Sequence, residues 1–375
     1  MRIGHLGQQL ETDLVSLLGG DRDARSQGQV RGAARLSVAA DPNVTADLPV
    51  YKTSSLKARS PYYAYRVGSA LANALPERIA MGLFNLLARL AAVLMPARRR
   101  LVARNLQRVR GINPNETTQD CGIFNKQVAS VFTSYARYWL ELFRLPSETP
   151  EEIIAKFRLE GGEHLEAALA RGKGIIASVP HVGGFDYSGA WFAATGHRPS
   201  AVVEALEPPE LLAWFTNVRS SLGVEVIPLG RDSAPRVSAA LNENRLVCLM
   251  TDRDISGDGV PVDFFGEKTT MPGGPALLAL RTGAALLPIV AYFEPNGMHR
   301  GVIQAPIVAE RQGRLREDVV RVTQELAYRF EEMIRVAPEQ WHLMQPNWPS
   351  DRIDVASHVV ARNAGASNTG ASEGA

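Results

Sequence analysis

The sequence predicts an α/β fold: a mostly parallel central sheet flanked by helices, preceded by an N-terminal amphipathic helical segment. Three observations carry this. Five short apolar runs, Gly174 to Val179, Ser200 to Val203, Val224 to Ile227, Leu246 to Met250 and Leu286 to Ala291, have the length and near-continuous hydrophobicity of strands buried on both faces. Helical patterns separate them, at Glu163 to Arg171, Phe185 to Thr195, Glu210 to Leu222, Ala234 to Asn242 and Gly274 to Thr282, and such alternation implies parallel pairing through crossovers. Before Phe157 the chain carries the helical period instead.

In chain order, residues 1–57 are rich in Gly, Asp, Ala, Ser and Gln without a sustained period, and read as a flexible extension. Pro61 to Arg110 is helical, with Pro76 and Pro96 placed where new helices begin. Its most apolar stretch, Ile79 to Met95, is shorter than the roughly 20 residues a bilayer core demands and is interrupted by Arg89, so a buried or interfacial helix is expected. Asn115 to Phe143 carries Val128, Val131, Phe132, Tyr135, Tyr138, Trp139 and Leu142 at helical spacing. Residues 58–352 are expected to hold the working domain, and the small polar residues 353–375 a disordered tail.

Bulk composition excludes several classes. The 41 Lys plus Arg against 39 Asp plus Glu leave a net charge of +2, which argues against nucleic acid as a partner. The two cysteines, Cys121 and Cys248, lack neighbours at metal-ligand spacing, so no disulfide framework and no metal site is expected. The first residues lack the apolar core of a signal peptide, and no GxGxxG or P-loop supports a nucleotide site.

The run GIIASV leads straight into Pro180, His181, Val182, Gly183, Gly184, Phe185 and Asp186. A His emerging at the carboxyl end of a buried strand stands where ligands of such sheets bind. Positions five apart on one helix differ by about 140°, but Gly183 and Gly184 permit a turn that puts the imidazole in the loop and the carboxylate in the first helical turn. Neutral imidazole suits removal of a proton from an alcohol near neutral pH, and a carboxylate on its other nitrogen fixes the tautomer. No G-x-S-x-G elbow accompanies it, which favours direct transfer to an acceptor hydroxyl. The competing reading is a structural histidine and a helix cap.

His181 with Asp186 in HVGGFD, together with VVEALEPPELLAWFTNVRSSLGVEVIPL (Val202 to Leu229), FFGEKTTMPGGPALLALRTGAALLP (Phe264 to Pro288) and PEQWHLMQPNW (Pro338 to Trp348), resembles the bacterial lipid A biosynthesis acyltransferase family over roughly Tyr62 to Arg352. The blocks are closest in flavour to its phosphatidylinositol mannoside acyltransferase branch. The resemblance implies His181 as base, Asp186 as motif carboxylate, and a later acidic residue bonded to the His, placed at Asp252. Gly184 stands where many members have Asn, and Ala205 where many have Arg. Whether Asp252 or Asp186 orients His181 stays open at this point. Asp254 competes with Asp252, and both compete with a plain surface turn.

Arg219 can hold a phosphate of the carrier or acceptor, or be a solvated helical Arg. Gly273 and Gly274 open a helix whose amides can bind a phosphate or oxyanion, or only allow close packing. Trp191, Phe192, Trp214, Phe215, Phe264 and Phe265 can line an acyl groove or fill the core.

From Leu56 to Ile112 there are 11 basic residues and only Glu77 is acidic, so residues 58–112 read as basic helices facing an anionic membrane while the rest of the chain totals −8. The resemblance implies an O-acyltransferase, monomeric and peripheral at the cytoplasmic face of the cell membrane. It would take an acyl chain from acyl-CoA or acyl carrier protein to a sugar hydroxyl of a glycolipid, with no cofactor. The alternatives are a lipid A-type acceptor, a lipid-binding protein of the same fold, and a thioester hydrolase.

Overall fold

The computed structural model describes residues 59–352, leaving out 115–121, 205, 207, 231 and 256. The expected extension over 1–57, the tail after 352, the start of the fourth helix and Ala205 therefore lie outside the described residues. The helical third comes first: α1 (Ser60–Ala74), α2 (Glu77–Leu94), α3 (Pro96–Val109) and α4 (Gly122–Arg144). Pro96 opens α3 as expected, whereas Pro76 sits one residue before α2 with extended ψ. Helix α4 is the hub on which α1, α2 and α3 lie.

Next come α5 (Pro150–Ala155), β1 (Phe157–Glu160), α6 (Gly162–Ala170), β2 (Ile175–Val179), α7 (Phe185–Ala194), β3 (Ser200–Val203), α8 (Pro209–Ser221), β4 (Glu225–Pro228), α9 (Ser233–Asn242) and β5 (Leu246–Met250). The hairpin β6 (Val260–Phe264) and β7 (Glu267–Met271) leads into α10 (Gly274–Thr282), β8 (Ala285–Phe293), β9 (His299–Ile303) and α11 (Leu315–Val336). All five predicted strands and all five predicted helices of this part are present. The seven-stranded sheet has the order β1-β9-β8-β2-β5-β3-β4, and β8, β2, β5, β3 and β4 run parallel. Within this sheet, among the described residues, the β8–β9 pair alone is antiparallel, because a short turn through Asn296 and Gly297 reverses the chain. Strands β1, β6, β7 and β9 and helices α5 and α11 are additional to the predicted set.

Alternation along β2 divides the core. Ile176 faces a large cluster that includes Val290, Leu326 and Phe330, while Ile175, Ala177 and Val179 face a second one with Leu165 and Phe192. Burial on both faces explains why these strands read as continuous apolar runs. The chain then returns from α11 through Trp341 and Trp348, crosses the carboxyl edge of the sheet, and is fixed there by Asp351. That carboxylate is fully buried and lies 2.8 Å from both Arg104 and Arg108 of α3.

Candidate active site

Strand β2 delivers His181 to the carboxyl edge, and the following loop is held by backbone bonds on both sides. The amide of Gly183 donates to the Gln340 carbonyl, that of Gly184 to the Ala291 carbonyl, and that of His342 to the His181 carbonyl. Gly183 has φ +59°, and a Cβ there would stand 2.1 Å from the Ala291 oxygen. A Cβ at Gly184 would stand 2.8 Å from the His299 ring. Both glycines are required by close approach, which lets the loop turn between His181 and α7.

The carboxylate that touches the imidazole is Asp252, just past β5. Its Oδ1 lies 2.6 Å from His181 Nδ1, and its Oδ2 accepts from the His181 amide at 3.0 Å and from the Trp341 indole N–H at 2.9 Å. Asn347 donates to its carbonyl. Burial alone would raise the Asp252 pKa, but His181 and these donors outweigh it and hold the carboxyl below the usual range. Nδ1 therefore carries a proton toward Asp252, and Nε2 is left as the acceptor. The His181 side chain is 27% exposed, and Nε2 has no hydrogen-bond partner among the described residues.

Asp186 does other work. Its carboxylate accepts two bonds from Arg219, at 2.7 and 3.1 Å, and one from the Tyr138 hydroxyl at 2.6 Å. Burial opposes its ionisation, but Arg219 and Tyr138 win and lower its pKa. This settles the open choice for the imidazole partner in favour of Asp252. Arg219, expected to hold a phosphate, has two of its donors on Asp186. Asp254 serves its own loop, accepting from the amides of Gly257 and Gly259 and from Thr270.

Gly273 and Gly274 begin α10 at the carboxyl edge of the sheet, since that helix runs back to the start of β8. A Cβ at Gly273 would meet Val260 at 2.6 Å and Val319 at 3.2 Å, so this glycine serves close packing, whereas Gly274 faces open space.

Beneath α7 an apolar cavity of about 80 Å³ opens beside Asp186 and Arg219, lined by Ala177, Val179, Gly189, Phe192, Cys248 and Met250. Of the six aromatic residues proposed for a groove only Phe192 lines it. Trp214 and Phe215 pack with α1 and α4, Trp191 packs against Phe157, and Phe264 and Phe265 pack with Trp341. Burial, then the nearby Asp186 charge, pushes the Cys248 thiol up to about 12, so it forms wall and not nucleophile.

Three residues of the site are not among those the sequence singled out: Tyr138, Trp341 and His342. His342 is buried behind His181, with Nε2 2.9 Å from Ser134 Oγ, and burial, then the neighbouring imidazole of His181, pushes its pKa down to about 3. Trp341 and His342 fall inside the quoted PEQWHLMQPNW block, which was the available signal.

A family model described as bacterial lipid A biosynthesis acyltransferase matches residues 51–350. The phosphatidylinositol mannoside acyltransferase of Mycolicibacterium smegmatis is 38% identical over 293 residues, covering 77% of this chain and 92% of the relative. The protein of the same name from Mycobacterium tuberculosis is 38% identical over 309 residues, covering 81% and 93%. A lipid A biosynthesis acyltransferase of Haemophilus influenzae is 26% identical over 217 residues, covering 57% and 66%.

Proposed function

Because this chain belongs to the bacterial lipid A biosynthesis acyltransferase family and is an acyltransferase, we propose that it moves a fatty acyl chain from acyl-CoA, or from acyl carrier protein, to a sugar hydroxyl of a glycolipid such as a phosphatidylinositol mannoside, at the cytoplasmic face of the cell membrane. The observation that carries this is the Trp341–Asp252–His181 relay, which fixes the imidazole with Nε2 toward solvent. The glycolipid acceptor is supported by the names of the 38% identical relatives.

His181 Nε2 takes the proton of the acceptor hydroxyl, and Asp252 stabilises the imidazolium. The alkoxide forms a C–O bond to the thioester carbonyl, whose electrons move onto oxygen. Collapse breaks the C–S bond, and the imidazolium returns its proton to the departing thiolate. Asp186 is neutralised by Arg219, so its charge does not oppose the oxyanion forming beside it. The cavity under α7 offers the acyl chain an apolar path next to this centre.

A peripheral seat on the membrane is supported by α2, which exposes Ile79, Leu86, Leu87, Leu90, Val93 and Leu94, joined by Tyr63, Val67 and Leu71 of α1. No single helix among the described residues is long and apolar enough to cross a bilayer. The basic contribution is smaller than the sequence count suggested, since Arg104 and Arg108 turn inward to Asp351 and Glu267, and Arg59 pairs with Glu210. Tyr65 of α1 packs on Trp139 and Phe215, so the lipid-facing pair is tied to the hub that carries Tyr138. Incubating the purified chain with radiolabelled acyl-CoA and separate acceptor lipids tests the proposal. His181→Ala should fold and transfer no label; a folded His181→Ala protein with full activity would sink it.

A further inference from the structure

Reactants of the proposed transfer carry phosphate esters, in the donor's carrier arm and in a phosphatidylinositol headgroup, yet Arg219 is committed to Asp186. A different guanidinium lies one residue from Asp252. Arg253 directly follows Asp252, so it is anchored on the same turn that holds the base. Its Nη2 lies 3.2 Å from Glu204 Oε2 beyond the end of β3, and the Glu204 side chain is 41% exposed. An ion pair with so exposed a carboxylate is weak and readily exchanged. The Arg253 Nε is buried and has no hydrogen-bond partner among the described residues, and folded proteins seldom leave such a donor without a role. Arg98 adds a second positive charge on this side, since both guanidinium groups act on the Tyr135 hydroxyl.

We propose that Arg253 is a phosphate-binding residue of this active site, exchanging Glu204 for a phosphate ester of the acyl donor or the phosphodiester of the acceptor lipid. The planar fork of Arg matches two phosphate oxygens, and its position one residue from Asp252 sets the phosphate at a fixed distance from the base. This rests on the acyltransferase reading given above.

The test is steady-state kinetics on the full chain, varying palmitoyl-CoA and phosphatidylinositol mannoside in turn. Arg253→Gln should raise the KM for one of the two by about tenfold or more, with a smaller fall in kcat, and Arg253→Lys should recover part of it. A rise for palmitoyl-CoA alone assigns the contact to the donor, and a rise for the lipid alone assigns it to the acceptor. Both KM values within about twofold of the wild type, or a loss confined to kcat, overturns the proposal. If Arg253→Gln does not fold, Glu204→Gln carries the test: one KM falls by about twofold or more, and unchanged values overturn it. Titrating coenzyme A, and separately phosphatidylinositol vesicles, into wild type and Arg253→Gln distinguishes the two readings. A chain that transfers nothing, yet binds either probe about tenfold more weakly in the variant, refutes the substrate reading and keeps the phosphate contact.

Discussion

Replacing Asp252 by Asn removes a charge with almost no change of shape, and the three donors around that carboxylate fix what the chemistry loses. In the native site Oδ2 takes the His181 amide and the Trp341 indole N–H, while Oδ1 faces His181 Nδ1. Asn has a single acceptor oxygen, and the two donors at the Oδ2 position claim it. The amide NH2 then points at Nδ1, which must become the acceptor, and the proton moves to Nε2. The base is lost through its tautomer while the fold stays intact. Loss of an equivalent orienting carboxylate elsewhere costs about 10⁴ in kcat, close to 5.5 kcal/mol of transition-state stabilisation. Asp186→Asn should behave differently, because no bond links that carboxylate to the imidazole. It strands a buried Arg219 charge, so the expected signature is a stability loss of about 3–5 kcal/mol. Transfer of labelled acyl groups and urea unfolding, measured on both variants, separate the roles. An Asp252→Asn enzyme within tenfold of wild type, or one more active than folded Asp186→Asn, refutes the assignment.

His342 has a pKa near 3 in the fold against about 6.5 when unfolded, so only the unfolded chain takes up its proton between those values. Its contribution to stability is complete above pH 6.5 and is lost toward pH 3, on the order of 5 kcal/mol across the window; His342→Gln should flatten that slope in urea titrations, and an unchanged slope counts against it. Gly184→Ala places a methyl 2.8 Å from a His299 ring that is stacked on Tyr187 and bonded to Glu141, so it should cost about 1–3 kcal/mol. Most of that should return in a Gly184→Ala, His299→Ala double mutant, and simple additivity would show that the ring is not the obstacle. Leu90→Glu with Val93→Glu should cut co-sedimentation with phosphatidylglycerol vesicles about tenfold or more, and equal binding would remove α2 from the membrane.

The parallel core was legible because β2 and β8 are buried on both faces and β5 is buried over its first two residues and half-buried beyond, so all three print continuous apolar runs. Strands β6 and β7 were not, since VPVDF and EKTTM bury only alternate residues and read as polar loop. Helix α11 carries Val322, Leu326, Phe330 and Met333 at helical spacing, and that period was open to reading from the sequence. In the site, His181 and Asp186 came from one short motif, but partner choice depends on side-chain direction across 71 residues, which spacing does not encode. Resemblance supplied Asp252. The pairing of Arg219 with Asp186, 33 residues away, is likewise not encoded in spacing.

The returning segment from Trp341 to Asp351 holds the His181–Asp252 pair at three points: an indole N–H to Asp252, an amide to the His181 carbonyl, and Asn347 to the Asp252 carbonyl. Everything else in the relay is synthesised by residue 252. The pair at the sheet edge is thus clamped by a segment that lies 89 residues beyond Asp252 at Trp341. Loosening Asp351 from Arg108 would therefore slacken the His181–Asp252 pair without touching either residue.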